Sequence, residues 1–543
     1  MFRLPITYRR TYVIPSSMVT DLELNETVDP SGKPMYHCLF NPKNELAEQA
    51  AKQWAQVYTD DMEFLKDSVD LLKHISPNDH DPADFIEAWK RIHGTVDFNS
   101  VFHYVEYSKM QFLNASTTFL TIMSVYSMTS PVMFFLSPLL VILMPFVLLK
   151  AKNQNVTFAE YKSVLYSVLE KHALGAIFTG SFATADASKK MYMLLTAAFF
   201  GVQIYTNVQS CYTFFKNLNY THKVLSSTRE FLKHVIDGMK EVGMRAPPTY
   251  AVFVADALKQ EAVLRKYYDH LSEVKPLSWG ELGQIGHVRR LFHQLHGDEE
   301  LKAALNYAMG FHGYLDNMRN AKVLLETKKV NACKFGAVTK FKNAVYPPAT
   351  EHTPNTYAVR NYSITGPNAS GKTTFIKTTM LNVLFSQQLG LGFYRRATVM
   401  PYEQLWCYLN IPDTSGRDSL FQAEARRCKE IIDGLSDKRA LCIFDELYSG
   451  TNPAEASASA YAFLRYLSNL KTCTFLLTTH FVDVCEKIEA HGVKNVHMKT
   501  TSDGEKLTYC YKLTPGISRV KGALKVLQDL NYPSSIVDCA RVC

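Results

Sequence analysis

The chain has 543 residues, with 59 lysines and arginines against 51 aspartates and glutamates, and a formal net charge of +8 at pH 7. At roughly 100–200 residues per domain, this length predicts about three or four domains. The mild positive charge permits an anionic partner, such as nucleic acid or a membrane surface, but does not require one. Eleven cysteines without a Cys-x-x-Cys pair exclude a zinc ribbon and a disulfide framework, and they favour a reduced, intracellular compartment.

Residues 1–109 carry apolar side chains at helical spacing among polar ones. One such stripe predicts a helix that Pro77 ends, and Asp81-Pro82 begins the next helix. We interpret this part as an N-terminal helical region whose stripes face a core and perform no chemistry. The stripe comprises Trp54, Val57, Met62, Leu65, Val69 and Leu72.

Residues 110–215 contain two runs without a single charged residue or histidine, 110–149 and 191–215. About 20 apolar residues are enough to cross a bilayer, so the runs predict a transmembrane hairpin with both ends of the protein on one side. Two buried helices of a large soluble protein are the alternative. The loop between the runs, residues 150–190, is rich in lysine, which conflicts with the positive-inside rule if the termini are cytosolic.

Residues 216–330 are charged and again helical. A stripe of apolar residues predicts one long helix that Pro247-Pro248 interrupts, and an amphipathic helix follows. This pattern is typical of long helices that pack on one another or reach between domains. The stripe comprises Val224, Phe231, Leu232, Val235, Ile236 and Met239.

Strand and helix signals alternate from about Asn331, which predicts an α/β domain. A short strand, 362–365, runs into a GxxxxGK[ST] loop that opens a helix, and this context makes the motif specific. Glycines let the backbone wrap around phosphate oxygens, so that N–H groups of the loop and of the helix N-terminus point at them. Lys372 is expected to reach the β- and γ-phosphates of a nucleotide, and Thr373 to offer its hydroxyl to Mg²⁺. The predicted nucleotide-binding residues are Gly366, Pro367, Asn368, Ala369, Ser370, Gly371, Lys372, Thr373 and Thr374.

Two further strands are predicted to end beside this loop. The strand 439–446 ends in Asp445 and Glu446, which we expect to hold Mg²⁺ and to polarise the attacking water, respectively. The strand 473–478 is followed by His480, which is placed to contact the γ-phosphate or that water. A pair of solvated acids and a structural histidine are the alternatives, and the upstream loop makes them less favoured.

Between the loop and the acids, residues 414–427 place Ser and Gly residues before a predicted helix. The N-terminus of such a helix is suited to bind an anion. This helix cannot easily fold back onto the loop of its own chain. The segment therefore indicates a site that is completed by the nucleotide of a second subunit.

Together these segments resemble the ATPase domain of the MutS family of mismatch-repair proteins, within the ABC superfamily. ITGPNASGKTT is similar to the family's loop, DELYSGTNPAEA to its acidic segment and LLTTHF to its histidine segment. TSGRDSLFQAE is similar to its trans-acting signature, which makes Ser419 the residue that contacts the partner's γ-phosphate. The resemblance implies an α/β P-loop ATPase domain at 331–515 and a C-terminal helical dimerisation element at 516–543, preceded by core- and lever-like helices at 216–330.

The resemblance also implies ATP and Mg²⁺ as cofactors, a dimer, most simply a homodimer, and DNA as the partner. No Phe-x-Glu motif lies near the N-terminus and the chain is shorter than the full set of family domains, so we do not carry mismatch reading over. Two alternatives stay open. One is an ABC-type membrane transport ATPase, which two spans and a signature unlike LSGGQ disfavour; the other is a structural tether switched by ATP. If the hairpin inserts, the protein is anchored in a membrane with its ATPase domain in the cytosol.

Overall fold

A computed structural model describes the chain except for residues 1, 78–79, 152–156, 172–174, 176–184, 277–282, 350, 352, 410–418, 503–506, 521–526, 529 and 543. The chain forms two compact units. Unit 1 comprises Met1–His80, Val235–Ala262 and Ala304–Cys543, and unit 2 comprises Asp81–His234 and Val263–Ala303. The domains predicted with boundaries at 109, 215, 330 and 515 are continuous segments of the chain. Each of the two compact units instead combines segments that are distant in sequence.

The part before residue 330 is mostly helical, as predicted. It also contains a two-stranded antiparallel ribbon, β1 (Tyr12–Val13) with β2 (Val57–Tyr58), and three short 3₁₀ helices at Pro5–Tyr8, Ser108–Ala115 and Pro248–Tyr250. Its helices are α1 (Ser16–Asp21), α2 (Met35–Phe40), α3 (Glu45–Trp54), α4 (Met62–His74), α5 (Ala83–Gly94), α6 (Phe98–Val101), α7 (Thr117–Ala151), α8 (Phe158–Lys171), α9 (Ala187–Arg245), α10 (Ala251–Ser272), α11 (Ile285–Gly297) and α12 (Glu299–Glu326).

The single helix predicted from Trp54 to Leu72 is wrong. Helix α3 ends at Trp54, the strand β2 follows, and α4 begins only at Met62. The carboxylate of Asp61 accepts a hydrogen bond from the backbone of Phe64 and so caps α4, a local signal that overrides the apparent continuity of the stripe. The predicted break at Pro247-Pro248 is confirmed, since α9 ends at Arg245 and α10 begins at Ala251.

The C-terminal part contains two sheets. Its strands are β3 (Asn331–Phe335), β4 (Lys340–Ala344), β5 (Asn355–Ala358), β6 (Tyr362–Thr365), β7 (Leu391–Gly392), β8 (Arg396–Val399), β9 (Gln404–Tyr408), β10 (Ala440–Asp445), β11 (Cys473–Thr478), β12 (Lys494–Ser502) and β13 (Leu507–Pro515). Its helices are α13 (Lys372–Leu389), α14 (Leu420–Gly434), α15 (Pro453–Ser468), α16 (Val482–Glu489) and α17 (Ser534–Val542). Of the predicted dimerisation element, residues 521–526, 529 and 543 lie outside the described residues.

The larger sheet has the strand order β13-β12-β6-β11-β10-β9. All neighbours are parallel except β12 and β13, which form an antiparallel edge. Strands β10 and β11 read as nearly continuous apolar runs because both faces of a parallel sheet are covered. Since carboxyl ends of parallel strands meet at one edge, the segments that follow β6, β10 and β11 come together there.

Helix α13 lies between this sheet and the smaller one, which has the order β5-β4-β8-β3-β7. It is buried along almost its whole length, including polar residues that bind the N-terminal segment. Tyr36 donates a hydrogen bond to Gln388 Oε1 at 3.0 Å, and Gln387 Nε2 donates to the carbonyl of Thr59 at 3.0 Å. The N-terminal segment is thereby part of the packing of unit 1.

In unit 2, α7 and α9 run antiparallel. The rings of Phe134 and Phe200 lie 5.0 Å apart, and Cys211 Sγ lies 3.5 Å from the carbonyl of Met128. Within the described residues, Thr117–Leu136 and Ala187–Arg245 are long and apolar enough to cross a bilayer, by length and composition alone. Only 11% and 6% of their most apolar windows are buried, unlike the mostly buried core helix of a soluble protein. Parts of the loop predicted at 150–190 lie outside the described residues; α8 belongs to it.

Candidate functional site

The loop 366–373 joins β6 to α13 and surrounds the N-terminus of that helix. Gly366, Ala369 and Gly371 have positive φ angles of 150°, 61° and 91°, which curl the backbone over the helix end. A Cβ at Gly371 would lie 3.1 Å from the Tyr511 ring, so both its angle and its surroundings require glycine. The hydroxyl of Ser370 is buried and has no hydrogen-bond partner among the described residues, which leaves a polar group inside the loop for a ligand.

Lys372 is buried and turns its ammonium group back into the loop. Its Nζ donates to the carbonyl of Gly366 at 3.0 Å and lies 3.0 Å from His480 Nε2 and 3.8 Å from Glu446 Oε1. Burial lowers the pKa of Lys372, and the carboxylates of Glu446 and Asp445 oppose that shift. Three of the residues predicted for the site are therefore in direct contact.

Glu446 stands directly after β10 and adopts a left-handed backbone conformation, with φ of 51°. Its Oε1 lies 3.1 Å from His480 Nε2. The hydrogen bond from His480 lowers the pKa of Glu446, and the charge of Lys372 acts in the same direction. A non-glycine residue at positive φ is uncommon and costs energy, so the fold holds this carboxylate at the sheet edge against a local preference.

Asp445 and Thr373 form the second contact between the loop and the acids. Thr373 Oγ1 donates to Asp445 Oδ2 at 2.8 Å, and Thr478 Oγ1 donates to the other carboxylate oxygen. A hydroxyl beside a carboxylate is an oxygen donor set that suits Mg²⁺, which prefers few protein ligands and keeps several waters. Thr478 was not singled out from the sequence, because nothing in its strand pattern distinguishes it from a buried core residue.

A cavity of about 690 Å³ opens in front of the loop. The loop residues Asn368–Thr374 line one side together with Glu446, and Tyr346, Tyr357, Met498 and Tyr511 line the other. Asn355 holds the Tyr511 strand in place, since its side chain donates to the Tyr511 carbonyl and accepts from the Leu513 N–H, both at 2.9 Å. The aromatic side lay outside the sequence prediction because these residues come from three separate segments.

Ser419 is the N-cap of α14 and does not line this cavity. Its side chain accepts a hydrogen bond from Gln422 N, and Gln422 Oε1 accepts one from Ser419 N, which completes a capping box. The rest of the predicted signature before it, Thr414–Asp418, lies outside the described residues. Ser419 is exposed, at the start of a 15-residue helix.

The signature helix is joined to the acidic segment by Glu424, a residue for which no sequence motif predicts a role. Its buried carboxylate accepts hydrogen bonds from Ser449 N and Oγ, both at 3.0 Å, and from Gly450 N at 3.2 Å. A Cβ at Gly450 would lie 2.7 Å from Leu420, so the two segments pack closely. Helix α14 is thus bound directly to the turn that follows Glu446.

A glycine-rich loop after one parallel strand and paired acids after a neighbouring one are the arrangement typical of P-loop nucleotide hydrolases. Residues 362–543 match the family model of MutS domain V, which is the ATPase domain of the MutS proteins. The C-terminal third of the chain is thus similar to MutS domain V, and the predicted resemblance is confirmed over that part.

Curated relatives match the same part of the chain. The MutS protein homolog 4 of Mus musculus is 32% identical over 34% of this chain and 21% of its own length. The endonuclease MutS2 of Fusobacterium nucleatum is 31% identical over 35% of this chain and 25% of its own, and the DNA mismatch repair protein MSH2 of Arabidopsis thaliana is 31% identical over 33% and 20%. The chain thus covers a quarter or less of the length of these relatives.

Proposed function

We propose that this protein is a Mg²⁺-dependent ATPase that works as a dimer and couples ATP-driven closure to DNA binding. The observation that carries the proposal is the meeting of Lys372, Asp445, Glu446 and His480 beside the loop 366–373 and its cavity. The MutS domain V match supports the same activity.

Each residue has a chemical role that its position supports. Loop N–H groups and Lys372 hold the phosphates, while Glu446 orients and polarises the attacking water with His480 beside it. Thr373 and Asp445 are the residues that would hold Mg²⁺, which neutralises phosphate charge when bound. The aromatic side of the cavity, Tyr511 with Met498, is placed to take the base.

The second subunit enters through α14. Ser419 is exposed at the helix N-terminus and away from the cavity of its own chain, so we assign its anion contact to the nucleotide of a partner. Glu424 then carries the position of that helix to the turn after Glu446. DNA is the proposed partner and the cell interior the proposed location, with mismatch reading left out of the proposal.

The test is ATP turnover by the full chain with and without Mg²⁺ and with and without a matched duplex. Turnover that requires Mg²⁺ and changes with duplex supports the proposal. Lys372→Ala should abolish nucleotide binding, whereas Lys471→Ala, the same change at an exposed lysine outside the cavity, should leave it unchanged. Wild-type protein that neither binds nor hydrolyses ATP would contradict the proposal.

A second candidate is a membrane-anchored form of the same ATPase, and the exposure of α7 and α9 favours it. Large apolar side chains on both helices face outward, including Phe135, Leu143, Leu195 and Phe199, each at least 55% exposed. Apolar patches of this extent mark a membrane or protein contact rather than a soluble surface. Carbonate extraction of cell membranes separates the anchored form from the soluble one.

A further inference from the structure

Unit 1 contains a second cavity, which is larger than the proposed nucleotide pocket. Among the described residues, its lining includes basic side chains but no acidic ones, whereas the pocket lining includes both. The volume of the cavity is about 1360 Å³, roughly twice the 690 Å³ of the pocket. No aspartate or glutamate is among the described residues that line it. Its basic lining residues come from three separate segments and are Lys33, His37, Lys328, Lys329, Arg395 and Arg396.

The cations of this cavity lack counter-ions. Lys33, Lys328, Lys329, Arg395 and Arg396 are exposed, and within the described part of the chain none of them forms an ion pair with a carboxylate. Other basic residues of unit 1, such as Arg319 and Arg427, do pair with acids. A concave surface of one sign concentrates its potential and raises the local concentration of oppositely charged ligands.

The fold holds these cations in place by their backbones. Lys329 N donates to the carbonyl of Leu324 at 2.9 Å in the turn that ends α12, where Lys328 has a φ of 58°. Arg395 N donates to the carbonyl of Lys342 at 3.0 Å at the start of β8. The two basic pairs are therefore fixed on rigid supports, which lowers the entropy lost when they bind a ligand.

The cavity is separate from the nucleotide pocket but shares a wall with it. Along the segment 343–349, Ala344 and Tyr346 line the pocket, whereas Val345, Pro347 and Pro348 line the cavity. The loop residues 368–373 line the pocket and not the cavity. A nucleotide bound at this loop would therefore not be the ligand of the basic cavity.

We propose that this cavity binds the phosphate backbone of a nucleic-acid strand. Five cations spread over three segments suit a ligand with several phosphates in a row, since one small anion engages only one or two of them. Phosphates are alike at every nucleotide, so the contact is independent of nucleotide sequence. The proposal rests on the proposed function for the nucleic-acid class of the partner and goes beyond it by assigning that partner a site.

The test uses the full chain without nucleotide and a fluorescein-labelled 20-mer of thymidylate, with anisotropy measured between about 50 and 200 mM salt. Lys329→Glu combined with Arg395→Glu should weaken binding at least about tenfold and lower the salt slope by about 1.4, because each phosphate contact with a single strand contributes about 0.7. The matched control is Arg465→Glu with Lys471→Glu, the same charge change at exposed residues that line neither cavity. It should stay within about twofold of the wild type.

Unchanged affinity in the cavity variant, or an equal loss in the control, overturns the proposal. Loss of binding to phosphatidylserine vesicles with unchanged oligonucleotide affinity assigns the cavity to a lipid headgroup and overturns it as well. Basal ATP turnover should be the same in both variants and in the wild type, which shows that they are folded. A wild type that binds the oligonucleotide without hydrolysing ATP contradicts the proposed function and leaves this inference standing.

Discussion

At the scale of single residues, Glu446 carries the most specific expectation for the chemistry. Glu446→Gln keeps the shape of the side chain and removes its charge, so nucleotide should still bind while turnover falls at least about 100-fold. Single-turnover hydrolysis and nucleotide affinity, measured separately, check this. Glu430→Gln makes the same change at an exposed carboxylate of α14 and should leave both quantities unchanged. Near-normal hydrolysis by Glu446→Gln would remove this residue from catalysis.

A second prediction concerns Asp21 and the pH dependence of the free energy of unfolding. Asp21 is buried near Arg427 and Lys377, and burial raises its pKa to about 7 although both cations lower it. A carboxyl group whose pKa is raised on folding stabilises the fold less as the pH rises from about 4 to 7, because the unfolded chain ionises first. The effect is on the order of 2–4 kcal/mol.

The variant Asp21→Asn lacks this titration. Its melting temperature relative to the wild type should therefore rise between pH 5 and pH 8, with Asp437→Asn, at an exposed aspartate, as the control. A difference between variant and wild type that is the same at both pH values would show that Asp21 is ionised throughout.

The residues predicted for the site belong to local sequence motifs, whereas the missed residues belong to none. Lys372, Asp445 and His480 belong to motifs that follow strands, and the parallel order of the strands brings such ends together. Glu424, Asn355 and Tyr511 act through contacts with segments 25 to 156 residues away, which no local pattern records. Ser419 is predicted from the resemblance of its segment to the trans-acting signature; the structure places it at a helix start, and its contact with a partner stays a prediction.

At the scale of elements, variants at the start of α14 test whether two chains share a nucleotide site. Ser419→Asp keeps a side chain that caps helices well but places a negative charge where the partner's phosphates are expected. The variant should melt like the wild type and hydrolyse ATP far more slowly. Mixing it with Lys372→Ala should restore partial activity, because one of the two composite sites is then intact in the heterodimer.

The control for this experiment is Ser419→Thr, which retains both the hydroxyl and the cap and should keep most of the activity. If no ratio of the two inactive variants restores turnover, each chain hydrolyses ATP alone. Full activity of Ser419→Asp would show that Ser419 serves only its own helix.

The next prediction concerns Glu424, which links α14 to the turn after Glu446. Glu424→Gln retains the volume but replaces a charged acceptor with a neutral one against three donors of Ser449 and Gly450, which weakens these hydrogen bonds. We expect nucleotide affinity to stay within a few-fold while the maximal rate falls about tenfold or more, since the turn after Glu446 loses its support. Steady-state kinetics separate the two effects, and Glu455→Gln in the next helix is the comparison. A change in affinity alone would place Glu424 in nucleotide binding instead.

At the scale of the whole molecule, helical and α/β parts were predictable, but their grouping was not. The period of the apolar residues indicates helices, and the loop motif indicates the α/β part. The N-terminal residues 2–77 nevertheless pack in the same unit as the α/β part through buried amides such as Gln387 and Gln388 on α13. Such polar contacts between distant segments leave no periodic trace in the sequence.

The last expectation concerns the membrane hairpin. The uncharged stretch between Lys190 and Lys216 is about 39 Å long as a helix, enough to cross a hydrocarbon core of about 30 Å with some tilt. The antiparallel partner α7 is equally free of charge up to Lys150. Among the described side chains, large apolar ones on both helices are exposed, such as Phe135 and Phe199. We therefore expect the full chain to sediment with membranes, to resist carbonate and to dissolve only in detergent.

Substitutions in this hairpin sharpen the experiment. An arginine at mid-span costs roughly 2.5–3.5 kcal/mol on insertion scales, so Val132→Arg with Val202→Arg, at exposed residues near the middle of the two runs, should release the protein from membranes or cause its degradation. Leu258→Arg with Leu530→Arg introduces the same charges at exposed leucines outside both runs and should leave the protein in the membrane fraction. A wild type that stays in the supernatant without detergent, as a uniform dimer, has no membrane hairpin, because exposed apolar helices of this length are then covered by protein. In that outcome a second chain is the first partner to seek for α7 and α9.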